Sequence, residues 1–270
     1  MRGAGRRRRI AAAITVVALV GAVVAATLAH RHGGSSAPPS ALAGAGALPE
    51  PAASGLTIPD PRPLPDQAHT AVWAPLRRAV LATERPRAGS AEVAPVDERT
   101  PEGTVNLVLV LGRTTDAGGR VWLKARLPAL PAGAIGWIPR DAAGGYVSVD
   151  TRLVVDRAAQ TLTLTRGGRV VMTAPVGVGT SDAPTPAGEF YVRNKLTRYR
   201  SPAYGPIAFG TSARSPTLTD WPAGGFIGIH GTNQPQILPG RVSHGCIRLR
   251  NGDILRLAGL MPVGTPLTIV

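Results

Sequence analysis

The alternation of hydrophobic and polar positions divides this chain into regions of different texture. Ile10 to Ala29 is a run of twenty residues without a charge, in which Thr15 and Thr27 are the only polar side chains. At a rise of about 1.5 Å per residue, such a run spans about 30 Å, the thickness of one hydrocarbon core. Residues 30–70, and above all Gly33 to Gln67, are rich in Ala, Pro, Gly and Ser and show neither a helical nor a strand period, which predicts a disordered linker. Ala71 to Thr83 carries Val72, Trp73, Leu76, Val80 and Leu81 and predicts a short helix. From Thr104 onward the texture becomes one of short β-prone runs. Val105–Leu111 is one and Ile135–Pro139 is another; between them, Val121, Leu123 and Ala125 alternate with Trp122, Lys124 and Arg126. Three or four short strands with Gly and Pro turns predict a small barrel within residues 71–149.

The segment from 150 to 270 is the best patterned. Thr161-Leu162-Thr163-Leu164-Thr165 alternates, Gly167-Gly168 supplies a two-residue turn and Val170-Val171-Met172 returns, a hairpin signature. Further strands are expected at Glu189–Val192, Phe226–His230 and Pro266–Val270. One helix is expected at Asp253–Leu260, with Ile254, Leu255, Leu257 and Ala258 on one side, Asn251 or Asp253 as its cap and Pro262 as its stop. The fold class that follows is mostly β with one or two short helices.

Charge sharpens this organisation. Of 30 Lys and Arg residues, six arginines fall in residues 1–32, which hold no acid; the remainder of the chain has 24 basic and 16 acidic residues, a net of +8. Arg6 to Arg9 stand immediately before the apolar run, so residues 1–9 read as a cytoplasmic basic segment and 10–29 as a transmembrane anchor with the rest exported. A cleaved signal peptide, with Thr27-Leu28-Ala29 at its end, is the alternative, and it would make the protein secreted. No dense Lys/Arg run lies in the remainder and no zinc-finger or RNA-binding signature occurs, which argues against nucleic acid as a partner. A moderately basic surface suits an anionic cell wall.

Export changes the meaning of the cysteine count. Cys246 is the only cysteine in 270 residues, so no disulfide can form within the chain. An unpaired exported thiol is intermolecular, inert and buried, or reactive. Two histidines lie near it in sequence. His244 is two residues away, and His230 ends the apolar run Phe226-Ile227-Gly228-Ile229. A thiol of pKa ~8.5 needs a base or a positive neighbour to act as a nucleophile. His230, held at a strand end, is the favoured base, with His244 as the other candidate. Gly245 permits close approach by a substrate, and the amides of Gly245 and Cys246 are candidate oxyanion donors. Ser243 is a candidate to orient an imidazole. The same His230, His244 and Cys246 also offer three zinc ligands, but no fourth ligand or helper carboxylate lies nearby in sequence, and no cofactor is expected.

Two resemblances extend this reading. Val121-Trp122-Leu123-Lys124 followed by Gly136-Trp137-Ile138-Pro139 resembles bacterial SH3-like modules, and implies either a wall-binding module or a spacer. The stretch Ile229-His230-Gly231-Thr232-Asn233-Gln234-Pro235, then Leu238-Pro239-Gly240-Arg241-Val242-Ser243-His244-Gly245-Cys246-Ile247-Arg248-Leu249, resembles the L,D-transpeptidase (YkuD-type) catalytic domain. Val176–Gly179, Thr185–Phe190, Asn251-Gly252-Asp253, Leu260-Met261-Pro262 and Gly264-Thr265-Pro266 extend the likeness over about 120 residues, Arg152 to Val270.

The resemblance implies a β-sandwich-like fold, Cys246 as acyl-enzyme nucleophile, His230 as base and Ser243, His244 and Gly245 lining the site. Arg248 stands where some branches have Asn, and is a candidate contact for an acidic substrate group. Gly231, Thr232 and Asn233 are candidate substrate contacts. The implied substrate is a peptidoglycan stem peptide: the cysteine attacks a tetrapeptide donor, D-alanine leaves, and an acceptor amine gives a 3→3 cross-link. Water in place of the amine gives carboxypeptidase action, and carbapenems are implied inhibitors through acylation of Cys246. The rivals are a zinc-dependent wall hydrolase and a non-catalytic wall-binding protein.

Overall fold

A computed structural model describes residues 69–197, 201–218 and 225–270. The basic segment 1–9, the anchor expected at 10–29 and all but the last two residues of the linker expected at 30–70 lie outside them. Among the described residues no helix is long and apolar enough to cross a membrane.

Residues 71–149 form a seven-stranded sheet from β1 (Ala71–Pro75), β2 (Val80–Thr83), β3 (Glu92–Val96), β4 (Leu107–Thr115), β5 (Val121–Arg126), β6 (Ile135–Pro139) and β7 (Val147–Val149). Their order is β3-β2-β6-β5-β4-β1-β7, and each pairing is antiparallel. The short helix expected at Ala71–Thr83 is therefore wrong: the segment forms β1 and β2. Pro75 has no amide to donate inside a helix. The apolar residues also carry a period of two. Ala74 and Leu76 are buried in the core of this sheet with Val72 packed against it, whereas Trp73 joins a different cluster. That core is built largely from small and medium side chains, with Leu123, Leu127 and Ile138 its fully buried larger members.

Residues 151–269 form a ten-stranded sheet: β8 (Thr151–Asp156), β9 (Thr161–Arg166), β10 (Arg169–Pro175), β11 (Gly177–Gly179), β12 (Gly188–Leu196), β13 (Ala208–Arg214), β14 (Phe226–His230), β15 (Gly240–Ser243), β16 (Ile247–Arg248) and β17 (Pro266–Ile269). The order is β10-β9-β8-β17-β12-β13-β14-β16-β11-β15. The β9–β10 hairpin turns at Gly167 and Gly168, both at positive φ, as its two-residue loop requires. Leu153, Leu162, Leu164, Phe190, Phe209, Ile229 and Leu267 come from both ends of this order and fill one core. Each fully buried Leu or Phe stabilises the fold by ~1.5–3 kcal/mol.

The one α-helix among the described residues, α1 (Asn251–Leu260), closes that core. It buries Ile254, Leu257 and Ala258, an i, i+3, i+4 stripe. Leu255, expected on the same side, is 49% exposed. Neither expected cap acts: Arg250 is the N-cap residue and makes no side-chain cap bond.

The two sheets share an interface that is apolar at its centre and polar around it. Leu107, Leu109 and Tyr191 form a buried cluster with Trp73 and Val263 packed against it. Tyr191 Oη donates to the Leu107 carbonyl at 2.7 Å, and Arg126 donates to the Glu189 carbonyl at 2.9 Å. Trp73 packs onto Gly264, where a side chain would collide with its indole.

Candidate active site

The parallel pairing of β14 with β16 places Ile229 beside Ile247 and His230 beside Arg248. Continuing that register by one residue brings Gly228 beside Cys246. The Gly228 amide donates to Cys246 Sγ at 3.4 Å. His230 lies two residues further along β14 and so shares a strand face with position 228. A Cβ added at Gly228 would sit 3.7 Å from Sγ and 3.7 Å from His230 Cδ2. The thiol and the imidazole thus both lie against the bare backbone of Gly228.

His230 is almost fully buried, at 3% exposure. Its Nδ1 lies 2.6 Å from the Gly231 carbonyl. A carbonyl can only accept, so the proton sits on Nδ1 and Nε2 keeps its lone pair. The Tyr204 ring lies against the imidazole, with centroids 4.4 Å apart and planes tilted by 43°. Burial pushes the His230 pKa down to about 4; the Gly231 carbonyl opposes that shift, and the nearby Arg248 charge adds to it. Burial likewise pushes the Cys246 thiol up, against the Gly228 amide and Arg248. Both shifts favour the uncharged forms, thiol and imidazole.

The turn carrying Cys246 is held by two hydroxyls. Ser243 Oγ donates to the Cys246 carbonyl at 2.6 Å and accepts from the Gly245 amide at 3.1 Å. Thr185 Oγ1 donates to the Gly245 carbonyl at 2.7 Å and accepts from the Gly179 amide at 2.9 Å. Gly245 itself adopts φ +112°, a conformation that L side chains rarely take. In this geometry the Ser243 hydroxyl bonds the backbone of the turn that carries Cys246, and the Gly245 amide points its hydrogen at Ser243.

A cleft of about 270 Å³ opens over the pair, and its lining includes His230, His244, Cys246, Arg248, Tyr204 and Phe226. Arg248 Nε is buried and has no hydrogen-bond partner among the described residues. His244 is exposed at the cleft. Gly231, Thr232 and Asn233, expected as substrate contacts, are not among the lining residues. Gly231 and Thr232 are buried behind His230, where the Thr232 amide donates to Asn251 Oδ1 at 2.9 Å; Asn233 faces solvent. Among the described residues no three His, Cys, Asp or Glu side chains converge to hold a metal.

Four residues that matter here carry little signal as sequence. Gly228 reads as one more small residue in an apolar run, although a glycine two before a candidate base is a visible hint of close approach. Asn251 reads as a helix cap. Thr185 and Tyr204 reach the site only through tertiary contacts.

A β-rich domain that sets a half-buried thiol and a buried imidazole at adjoining strands, with an arginine in the same cleft, has a side-chain set compatible with acyl transfer through cysteine. The profile of the YkuD-type L,D-transpeptidase catalytic domain matches residues 150–269. Bacillus subtilis YkuD is 40% identical over 122 residues, covering 45% of this chain and 67% of the relative. Bacillus subtilis YqjB is 31% identical over 128 residues, covering 44% of this chain and 71% of the relative. The solved catalytic domain of the E. faecium L,D-transpeptidase aligns at 29% identity and a TM-score of 0.35, covering 45% of this chain and 97% of that one. The chain belongs to the L,D-transpeptidase (YkuD-type) family, whose members are acyltransferase-type enzymes.

Proposed function

We infer that the protein is a peptidoglycan L,D-transpeptidase that forms 3→3 cross-links through a thioester on Cys246. The observation that carries this reading is the placement of Cys246 Sγ and the His230 ring against the bare backbone of Gly228.

As Sγ attacks the carbonyl before the terminal D-alanine of a donor tetrapeptide, the thiol proton passes to His230 Nε2. The Gly231 carbonyl, accepting from Nδ1, holds the ring in that tautomer and favours the imidazolium formed. The Gly228 amide and the Arg248 charge favour negative charge on sulfur as the proton departs. The Cys246 amide, rather than that of Gly245, is the proposed oxyanion donor. When the C–N bond breaks, Nε2 returns the proton to the departing D-alanine amine, leaving the thioester. The acceptor amine then attacks, Nε2 takes a proton from it, and the thiol is regenerated. Arg248, which lines the cleft and whose buried Nε has no hydrogen-bond partner among the described residues, is the proposed contact for a substrate carboxylate.

Residues 10–29 are proposed to anchor the enzyme with its catalytic part on the cell-wall side, and residues 71–149 to act as an SH3-like module that spaces or docks it on the wall. Carbapenems are proposed inhibitors acting through Cys246. The test of the reaction is incubation with a tetrapeptide donor and an amine acceptor in EDTA. Release of D-alanine with a 3→3 dimer is expected. Activity that is lost to EDTA and restored by zinc would instead make this a metal hydrolase.

A further inference from the structure

A second pocket, of about 540 Å³, lies where the two sheets meet, on the far side of Phe226 from the active cleft; Phe226 lines both. Two arginines define it. Arg193 is 1% exposed, and its guanidinium lies 3.8 Å from the Phe226 ring centroid. Arg214, the cross-strand neighbour of Phe226, lies 4.8 Å from the same centroid. Arg193 falls where the β12–β13 register shifts between Val192 and Asn194, an irregularity that re-aims a side chain.

The two guanidiniums are under-compensated. Arg193 reaches Glu102 through one nitrogen, at 3.3 Å, while its Nε is buried and unpartnered among the described residues. Arg214 Nε is in the same condition. The remaining charged groups on the pocket are Asp97 and Arg99, both exposed. Counting Glu102 against Arg193, the pocket therefore keeps a positive excess, carried by Arg214 and Arg99 against Asp97. A buried N–H left without an acceptor is costly, and a guanidinium edge matches the two oxygens of a carboxylate. Burial lowers the pKa of both groups; for Arg193, Glu102 and Tyr191 oppose that shift and the charge of Arg214 adds to it. An anion seated in the pocket against the guanidinium edges that do not face Phe226 would offset both shifts.

We propose that this pocket is an anion subsite in which Arg193 Nε and Arg214 Nε take a carboxylate, that of a peptide strand crossing the Phe226 wall from the active cleft. That the strand is wall peptide rests on the transpeptidase reading; carboxylate binding does not, and it is measured without reference to Cys246. The probe is acetate, titrated into the full chain at fixed ionic strength against chloride, following the arginine Nε–Hε signals by NMR. Two of these signals, lost in turn in Arg193→Lys and Arg214→Gln, should shift saturably with acetate and not with chloride. Arg214→Gln should weaken the remaining response by about 10-fold or more, the scale of losing one charged hydrogen bond. No saturable shift in the unmodified protein, an equal response to chloride, or an unchanged response in Arg214→Gln would each overturn the proposal.

Discussion

The two sheets of this molecule bury their surfaces differently. The catalytic sheet fills one core with Leu, Ile, Val and Phe drawn from both ends of its strand order, sealed by α1. The sheet of residues 71–149 relies far more on alanine and valine, with a few larger side chains. The first arrangement holds β14, which ends in His230, paired with β16, which follows Cys246 directly. Among the described residues the second carries no thiol–imidazole pair; several of its polar groups, the Leu107 carbonyl, Arg126 and Glu102 among them, bond the neighbouring sheet. Stability and chemistry should therefore separate when residues of each are changed.

The largest effect belongs to the pair. His230→Ala should slow acylation of Cys246 by about 10²–10⁴-fold, typical of losing a general base, while the unfolding midpoint changes far less. Near-normal acylation in that variant would assign the base to His244 and break the comparison. Next comes Leu123→Ala, at a fully buried position of the smaller sheet. It should cost about 2–5 kcal/mol in chemical unfolding and leave the acylation rate per folded molecule nearly unchanged. A matching loss of acylation would mean that the smaller sheet shapes the site.

The third effect is one of pH. An unfolded chain protonates His230 near its ordinary 6.5, whereas the folded one resists protonation down to about 4. The unfolded state thus binds the extra proton first. Stability from this residue is complete above 6.5 and is lost as pH falls towards 4, by up to about 3 kcal/mol. The difference between wild type and His230→Ala, followed by denaturant titration across that window, isolates the contribution. The acid limb of the acylation rate should lie near 4 as well, and a limb at 6.5 would show that the imidazole is not buried in the working enzyme.

Much of the catalytic sheet was legible because its strands pattern themselves locally. Thr161–Thr165 alternates, Gly167-Gly168 turns, and Ile254, Leu257 and Ala258 repeat at helical spacing. The segment at Ala71–Thr83 misled because its apolar residues serve two different clusters, with Trp73 turned towards Val263 and Ala74 and Leu76 turned inward. That division is set by tertiary packing, which a count of apolar positions does not contain. The site shows the same limit. Cys246 and His230 stand out by type and context, but the hydroxyl bonds of Ser243 and Thr185, the bare backbone at Gly228 and the Tyr204 ring beside the imidazole arise only once distant strands meet.

The central claim is that Cys246 is an acyl-enzyme nucleophile working without a metal. Its most direct test is the intact mass of the full chain after exposure to a tetrapeptide donor or a carbapenem, with and without EDTA. The account predicts one covalent adduct that survives EDTA and is absent in Cys246→Ala. An adduct that persists in Cys246→Ala, or turnover that requires zinc and leaves no adduct, would contradict it.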